Sequence, residues 1–308
     1  MGLGGPWEPG ALADRKDKAD LVSQSHAAVD AALAAGITTF DHADIYKHGR
    51  AEEVFGQVLR DRPELREQIH LQSKVGIILG NGTHSDPQRY DSSRAHVSGG
   101  VVQNMERLGI SQLDTLLIHR PDPLTSWNEL ADTLGELRDK GLVQRFGVSN
   151  MSAAQMAAFE RAFGEPPAVA QVQLSLAHRE LLEASILFNV SGAVESGFSE
   201  YCADRGVEIQ AWSPLAGGLY APGFSGDSTQ YDDATRRTVA DLARDYGCES
   251  EAVVLAFLLK LPWGVRPVVG TTNPVRIAAC ADAAAVAERM SREDWYRLWT
   301  AARGQSVP

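Results

Sequence analysis

Cysteine is scarce in this chain of 308 residues: Cys202, Cys248 and Cys280 are far apart and odd in number. No CxxC pair occurs, so neither a structural zinc site nor a disulfide framework is indicated, and the three read as reduced thiols. The eight histidines fall into no metal-ligand spacing such as HExxH, and no metal is expected. A basic surface is missing too, since the formal net charge is −11. That argues against nucleic acid, whose phosphates require clustered Lys and Arg. No apolar run approaches the roughly 20 residues of a membrane span, and no basic-then-apolar leader opens the chain. Met1-Gly2 resembles a myristoylation start, but Pro6 stands where Ser or Thr is wanted. These absences describe a cytoplasmic protein touching neither nucleic acid nor membrane, for which the sequon Asn189-Val-Ser191 carries no meaning.

What is present suits a globular enzyme. Apolar residues make up 44% and charged residues 22%, enough for a sizeable core. Helical patterns near 21–35, 50–60, 94–108, 126–140, 152–163, 196–205, 232–246 and 274–287 alternate with short strand patterns. The strands fall near 2–4, 37–41, 69–74, 114–118, 144–148, 168–172, 207–212 and 266–269. Strands alternating with helices imply a parallel sheet. Eight such pairs predict a single (β/α)₈ TIM barrel domain over residues 1–308, without a linker. An open doubly wound sheet fits less well, because Gly2-Leu-Gly4 lacks the third glycine of a dinucleotide fingerprint. Stretches 78–93 and 213–231 read as loops, and 291–303 as an extra C-terminal helix capped by Ser291.

Four polar residues mark the ends of three of these strands. Asp41 closes the first full strand, Tyr46 follows in its loop, Lys74 closes the next and His119 the third. Taken singly, each has a bland reading: a paired surface lysine, a turn aspartate, a core histidine, a packed tyrosine. Carboxyl ends of successive parallel strands, however, face one mouth. A nearby ammonium lowers a phenol's pKa, and a carboxylate keeps that ammonium charged. Lys74 would act so on Tyr46, Asp41 on Lys74, and His119 would orient or help protonate a carbonyl oxygen.

The segments Gly36-Ile-Thr-Thr-Phe-Asp-His-Ala-Asp-Ile-Tyr46, Gln72-Ser-Lys-Val75, Leu113-Asp-Thr-Leu-Leu-Ile-His-Arg-Pro-Asp122 and Gly147-Val-Ser-Asn150 resemble the signatures of aldo-keto reductases. So do Gln210-Ala-Trp-Ser-Pro-Leu215 and Val269-Gly-Thr-Thr-Asn-Pro-Val-Arg276, in the family's order across nearly the whole chain. The resemblance is closest to a bacterial oxidoreductase subgroup. It implies the catalytic tetrad Asp41, Tyr46, Lys74 and His119, with Tyr46 as proton donor to an aldehyde or ketone. It also implies Ser149, Asn150 and Gln171 at the nicotinamide carboxamide and Trp212 stacked on its ring. Ser213, Leu215 and Gly217 resemble the pyrophosphate loop, where Gly217 and Gly218 let backbone approach closely.

Gly270, Thr271, Thr272, Asn273 and Arg276 resemble the site of the 2′-phosphate of NADP. Asn273 before Pro274 is a strong helix start, and a helix N-terminus favours phosphate. Arg276 in that first turn conflicts with the helix dipole until an anion binds. Gly270 replaces a lysine common in relatives, and Ala279 and Cys280 replace polar adenine contacts, so NADP(H) is favoured and NAD(H) remains usable. Relatives also have a hairpin and full first strand before the glycine matching Gly2; that material is missing from this sequence, which predicts either a truncated N-terminus with an open barrel floor or a start codon further upstream. Trp7, His48, Tyr90, Trp127 and Tyr220 are candidate pocket residues that equally suit loop packing. The expected partner is a small carbonyl compound. Two alternatives stand beside this reading: a nucleotide-sensing aldo-keto-like binding subunit with little turnover, and a metal-dependent lyase on the same fold, disfavoured for want of a ligand cluster.

Overall fold

The strands form where buried residues run consecutively. The computed structural model describes residues 2–7, 15–186 and 197–307, in two compact units. The sequon at 189–191 lies outside the described residues.

The first unit centres on Ile37–Gln171. In chain order it holds α1 (Arg15–Ala34), β1 (Thr39–Asp41), α2 (Arg50–Asp61), β2 (His70–Val75), β3 (Ile77–Ile78), β4 (Arg89–Tyr90) and α3 (Arg94–Leu108). Then follow β5 (Leu113–Ile118), α4 (Trp127–Asp139), β6 (Val143–Ser149), α5 (Ala153–Phe163) and the start of β7 (Val169–Gln173). Five strands pair in parallel in the order β1, β2, β5, β6, β7. All six residues of β5 are buried, as expected of a parallel strand covered on both faces. Its polar members are satisfied: Asp114 accepts the Leu71 N–H at 2.6 Å and pairs with Arg66 at 2.8 Å.

Register decides where the site falls. Asp41 pairs with Gln72, Lys74 with Leu117, Ile118 with Val148, and Ser149 with Gln171. Parallel neighbours therefore bring Asp41, Lys74, His119, Ser149 and Gln171 to one edge of the sheet. Helices α3, α4 and α5 start on serine caps, Ser93, Ser126 and Ser152, the last with a full capping box to Gln155.

Helices α2 and α3 pack closely at Gly56, where an added Cβ would lie 2.1 Å from the Arg107 carbonyl oxygen. Gly56→Ala is expected to cost roughly 1–3 kcal/mol through overpacking. Urea denaturation checks this, and an unchanged midpoint would mean that the two helices part without penalty.

The second unit, chiefly Glu208–Pro308, holds α6 (Glu180–Ile186), α7 (Phe198–Arg205), β8 (Glu208–Trp212), α8 (Gln230–Tyr246), α9 (Ser250–Leu259) and β9 (Arg266–Val268). It ends with α10 (Pro274–Ala278), α11 (Ala283–Arg289) and α12 (Arg292–Arg303). Strands β8 and β9 pair in parallel, with Trp212 beside Val268. Helix α12 is the extra C-terminal helix; Ser291 caps it, and Trp295 stacks on Phe257 at 4.8 Å and donates to its carbonyl at 2.9 Å.

Four expectations need correction. Residues 2–4 form no strand: Gly4 and Gly5 both take left-handed φ and turn the chain, and Arg50 holds the carbonyls of Gly4 and Pro6. The loop at 78–93 contains the small antiparallel pair β3–β4. The helix predicted over 274–287 is two, α10 and α11. Turns of three residues between them keep Ile277, Cys280 and Ala283 on one buried face. Helices α6 and α9 were not expected at all. Every residue of α9 from Ser250 to Leu258 is buried, so it carries no amphipathic period to read.

Candidate active site

Lys74 organises the cluster. Its side chain has no exposed surface, and its Nζ lies 2.6 Å from Asp41 Oδ2, 3.0 Å from the His42 carbonyl and 3.1 Å from the Tyr46 hydroxyl. An ammonium has three hydrogens and no lone pair. All three are thus committed, and the Tyr46 oxygen must accept. The phenol's own hydrogen is left to point elsewhere. Asp41 is completed on its other oxygen by Gln72 at 2.6 Å and Gln171 at 3.2 Å.

The charges follow from this packing. Burial disfavours the Asp41 carboxylate, but Lys74 and the two amides outweigh it and hold Asp41 below the ordinary carboxylate range. Burial likewise disfavours the ammonium, and Asp41 with Tyr46 outweighs it and holds Lys74 above the ordinary lysine range. The signs give a pH window. The depressed Asp41 stabilises the fold above the unfolded carboxylate pKa and loses this as pH falls through its folded value. The raised Lys74 contributes below the unfolded lysine pKa and loses this as pH rises through its folded value. Across neutral pH the pair stays ionised.

Tyr46 departs from expectation. Lys74 does pull its pKa down, but burial is the larger effect, Asp41 and Asp44 also oppose ionisation, and the phenol ends above its ordinary value. It therefore holds its proton at neutral pH, as a donor must before it acts. Its ring stands edge-on to His119, with centroids 6.0 Å apart at 81°. Burial, then the charge of Lys74, pushes the His119 imidazole down to about 3. It is neutral, so it can orient an oxygen through an N–H but cannot serve as a cationic acid. Its Nδ1 is buried with no hydrogen-bond partner among the described residues.

The loop that delivers Tyr46 is strained. Lys47 and His48 sit at φ 54° and 57°, left-handed values that side chains disfavour, and Gly49 follows at 86°. Such residues persist only where surrounding contacts over-determine them. Here the Asp44 N–H is tied to the Lys74 carbonyl at 3.1 Å, and a Cβ on Gly49 would lie 2.6 Å from the Arg107 guanidinium.

Ser149 and Asn150 follow on at the end of β6. Asn150 is left-handed at φ 57°; its N–H donates to the Gln171 carbonyl at 2.8 Å and its amide to Ser149 Oγ at 2.7 Å. Gln171, expected only at a carboxamide, also reaches Asp41, so it belongs to the tetrad's own network. Gln72 was missed. It lies two residues before Lys74, hence on the same strand face, and that alternation could have found it.

In the second unit, Trp212 ends β8 partly exposed. Beyond it Ser213, Ala216, Gly217 and Gly218 all take positive φ, and Leu215 accepts the Gly218 N–H at 2.8 Å. An added Cβ at Gly217 or Gly218 would meet nothing within 4 Å, which leaves their backbone open to approach. Gly270 is equally open and exposed. Asn273 caps α10, its oxygen accepting from Val275 at 2.9 Å and Arg276 at 3.4 Å. This modifies the expected phosphate site: the first N–H groups are taken and α10 spans only five residues. What remains for an anion is Thr271, Thr272 and the exposed Arg276 guanidinium, which has no partner among the described residues. Of the pocket candidates, Tyr220 is buried and donates to Asp232 at 3.2 Å, which makes it packing. Trp7 is exposed, 5.9 Å from His48 and beneath Lys47 at 5.3 Å.

Among the described residues no group of His, Cys, Asp or Glu could hold a metal, and no helix is long and apolar enough to cross a membrane.

The pattern of the aldo/keto reductase family matches residues 3–301. A 6-dehydroglucose reductase of Agrobacterium fabrum is 33% identical over 98% of this chain and 94% of its own length. A glycerol dehydrogenase of Gluconobacter oxydans superposes with a TM-score of 0.79 at 24% identity, covering 99% of this chain and 90% of that one. An aldo/keto reductase of Klebsiella pneumoniae, solved with NADP and acetate, gives 0.72 at 24% identity over 97% and 89%. The fold these share with the chain is the (β/α)₈ barrel.

Proposed function

The chain belongs to the aldo/keto reductase family of nicotinamide-dependent oxidoreductases, and we propose that it reduces an aldehyde or ketone with NADP(H), Tyr46 donating the proton. The observation that carries the reading is the saturation of Lys74 by Asp41, His42 and Tyr46. It turns the Tyr46 O–H away from the lysine and places an ammonium where the phenolate will form.

The reduced cofactor, when bound, supplies a hydride to the carbonyl carbon. Tyr46 gives its proton to the oxygen as charge gathers there, and the resulting phenolate is stabilised by the Lys74 N–H already in contact. Asp41 keeps Lys74 charged, and neutral His119 aims the carbonyl oxygen. Ser149, Asn150 and Gln171 suit the carboxamide, which needs both donors and an acceptor. Separately, Trp212 suits the flat ring, Ser213, Leu215 and Gly217 the pyrophosphate, and Gly270, Thr271, Thr272, Asn273 and Arg276 the adenosine 2′-phosphate. Arg276, whose guanidinium has no partner among the described residues, and the open backbone at Gly270 fit that phosphate. The Klebsiella relative's NADP supports the same cofactor, and the Agrobacterium relative's name supports sugar-derived carbonyls as substrates.

Arg276→Ala tests the phosphate assignment. A charge-assisted bond is worth roughly 1.5–3 kcal/mol, so the KM for NADPH should rise about tenfold to a hundredfold while that for NADH stays put. Equal effects on both cofactors would move the phosphate elsewhere.

A further inference from the structure

A second buried polar group backs the tetrad. Glu52, in the first turn of α2, has no exposed surface; it accepts from Ser73 Oγ at 2.6 Å and from Arg107 Nη1 at 3.2 Å. Ser73 precedes Lys74 in β2, so its side chain leaves the opposite face of the strand. The same Arg107 nitrogen also reaches the Asp44 carbonyl at 3.4 Å.

The Asp44 side chain is left out of this sharing. Its Oδ1 is buried with no hydrogen-bond partner among the described residues, and the guanidinium nearby is committed to Glu52. Charged and titratable groups face it from each packed element: Glu52 from α2, Arg107 from α3, Lys74 from β2, and Tyr46 from its own loop. Two carboxylates thus lie beside one guanidinium in a dry site, and Asp44, which has the Ile45 N–H as a donor but leaves Oδ1 bare, is the costlier to charge. Burial, with Glu52 second, pushes Asp44 up to about 7. Negative charge on Asp44 in turn opposes ionisation of Tyr46.

We infer that Asp44 tunes the proton donor through its charge: as the neutral acid it lets Tyr46 release its proton, and as a carboxylate it holds that proton back. This rests on the reading of Tyr46 as the donor. No member of the tetrad titrates near neutrality, since His119 and Asp41 lie low and Lys74 and Tyr46 high. Burial raises Glu52 as well, so a neutral-pH limb in proton transfer belongs to the buried carboxyls Asp44 and Glu52; Asp44, whose charge bears on Tyr46, carries it, and the rate falls as pH rises.

The test is single-turnover NADPH oxidation by the full chain with saturating carbonyl, from mildly acid to mildly alkaline pH. The wild-type rate should drop by up to about tenfold for each unit by which charged Asp44 raises the Tyr46 pKa, the ceiling that Brønsted behaviour sets. Asp44→Asn should be flat and keep the acid-side rate throughout. Glu52→Gln should move the limb to lower pH, because Asp44 loses a like-charged neighbour. If Asp44→Asn keeps the wild-type limb, the inference fails. Should that variant not fold, carbon NMR titration of the Asp44 carboxyl in the unmutated protein decides: a midpoint near neutrality supports the inference, and one in the ordinary carboxylate range overturns it. Tyr46→Phe run alongside separates the two layers. Full turnover in that variant would sink the donor reading itself, whereas lost turnover beside an unchanged limb in Asp44→Asn would sink only the role of Asp44.

Discussion

Tyr46→Phe should lower carbonyl turnover by about a hundredfold to ten-thousandfold, the range a positioned general acid contributes, and bind NADPH as the wild type does. The substitution is clean because of how the ring is held. A phenyl ring keeps the edge-on contact with His119 and the Lys74 ammonium 4.8 Å from its centroid. Lys74 loses one of three acceptors but retains the Asp41 carboxylate and the His42 carbonyl. The O–H alone is gone. Fluorescence titration with NADPH beside steady-state rates separates the two effects. Turnover near the wild-type rate would show that the proton comes from another group.

Lys74→Met should be damaging twice over. It removes the group proposed to stabilise the Tyr46 phenolate, and it strands the Asp41 carboxylate in the interior. Breaking a buried pair from one side costs about 3–5 kcal/mol, mostly from the uncompensated charge that remains. Gln72 and Gln171 still donate to Asp41 but bring no positive charge. Adding Asp41→Asn should restore much of the stability and none of the activity, since the stranded charge disappears while the phenolate still lacks its ammonium. Guanidinium denaturation of both single variants and the double variant gives the coupling. Strictly additive stabilities would mean that the two side chains do not depend on one another as their 2.6 Å contact requires.

The tetrad was legible in the sequence because each member ends a strand of parallel type, and register alone carries such ends to one edge. Lys74 and Asp41 needed no tertiary information beyond that. Glu52 and Asp44 did. In sequence Glu52 looks like an ordinary acidic residue at a helix N-terminus, exposed and favoured there by the dipole. What buries it is the close approach of α2 to α3 at Gly56, a contact between segments far apart in the chain. Helix α9 was hidden for the opposite reason: it is apolar on every side, so the pattern that reveals surface helices is absent. The split between α10 and α11 was equally unreadable, because nothing from Ala278 to Ala283 breaks a helix by propensity. The helix start at α10 was legible from Asn273 and Pro274. That Asn273 itself uses the first free N–H groups is a matter of side-chain rotamer.

The most direct measurement is NADPH oxidation by the purified protein against a panel of aldehydes, ketones and sugar-derived carbonyls. The account predicts carbonyl-dependent oxidation of NADPH with at least one member of the panel, and its loss in Tyr46→Phe. Tight NADPH binding without turnover on any carbonyl would contradict it and favour a nucleotide-sensing subunit built on the same barrel.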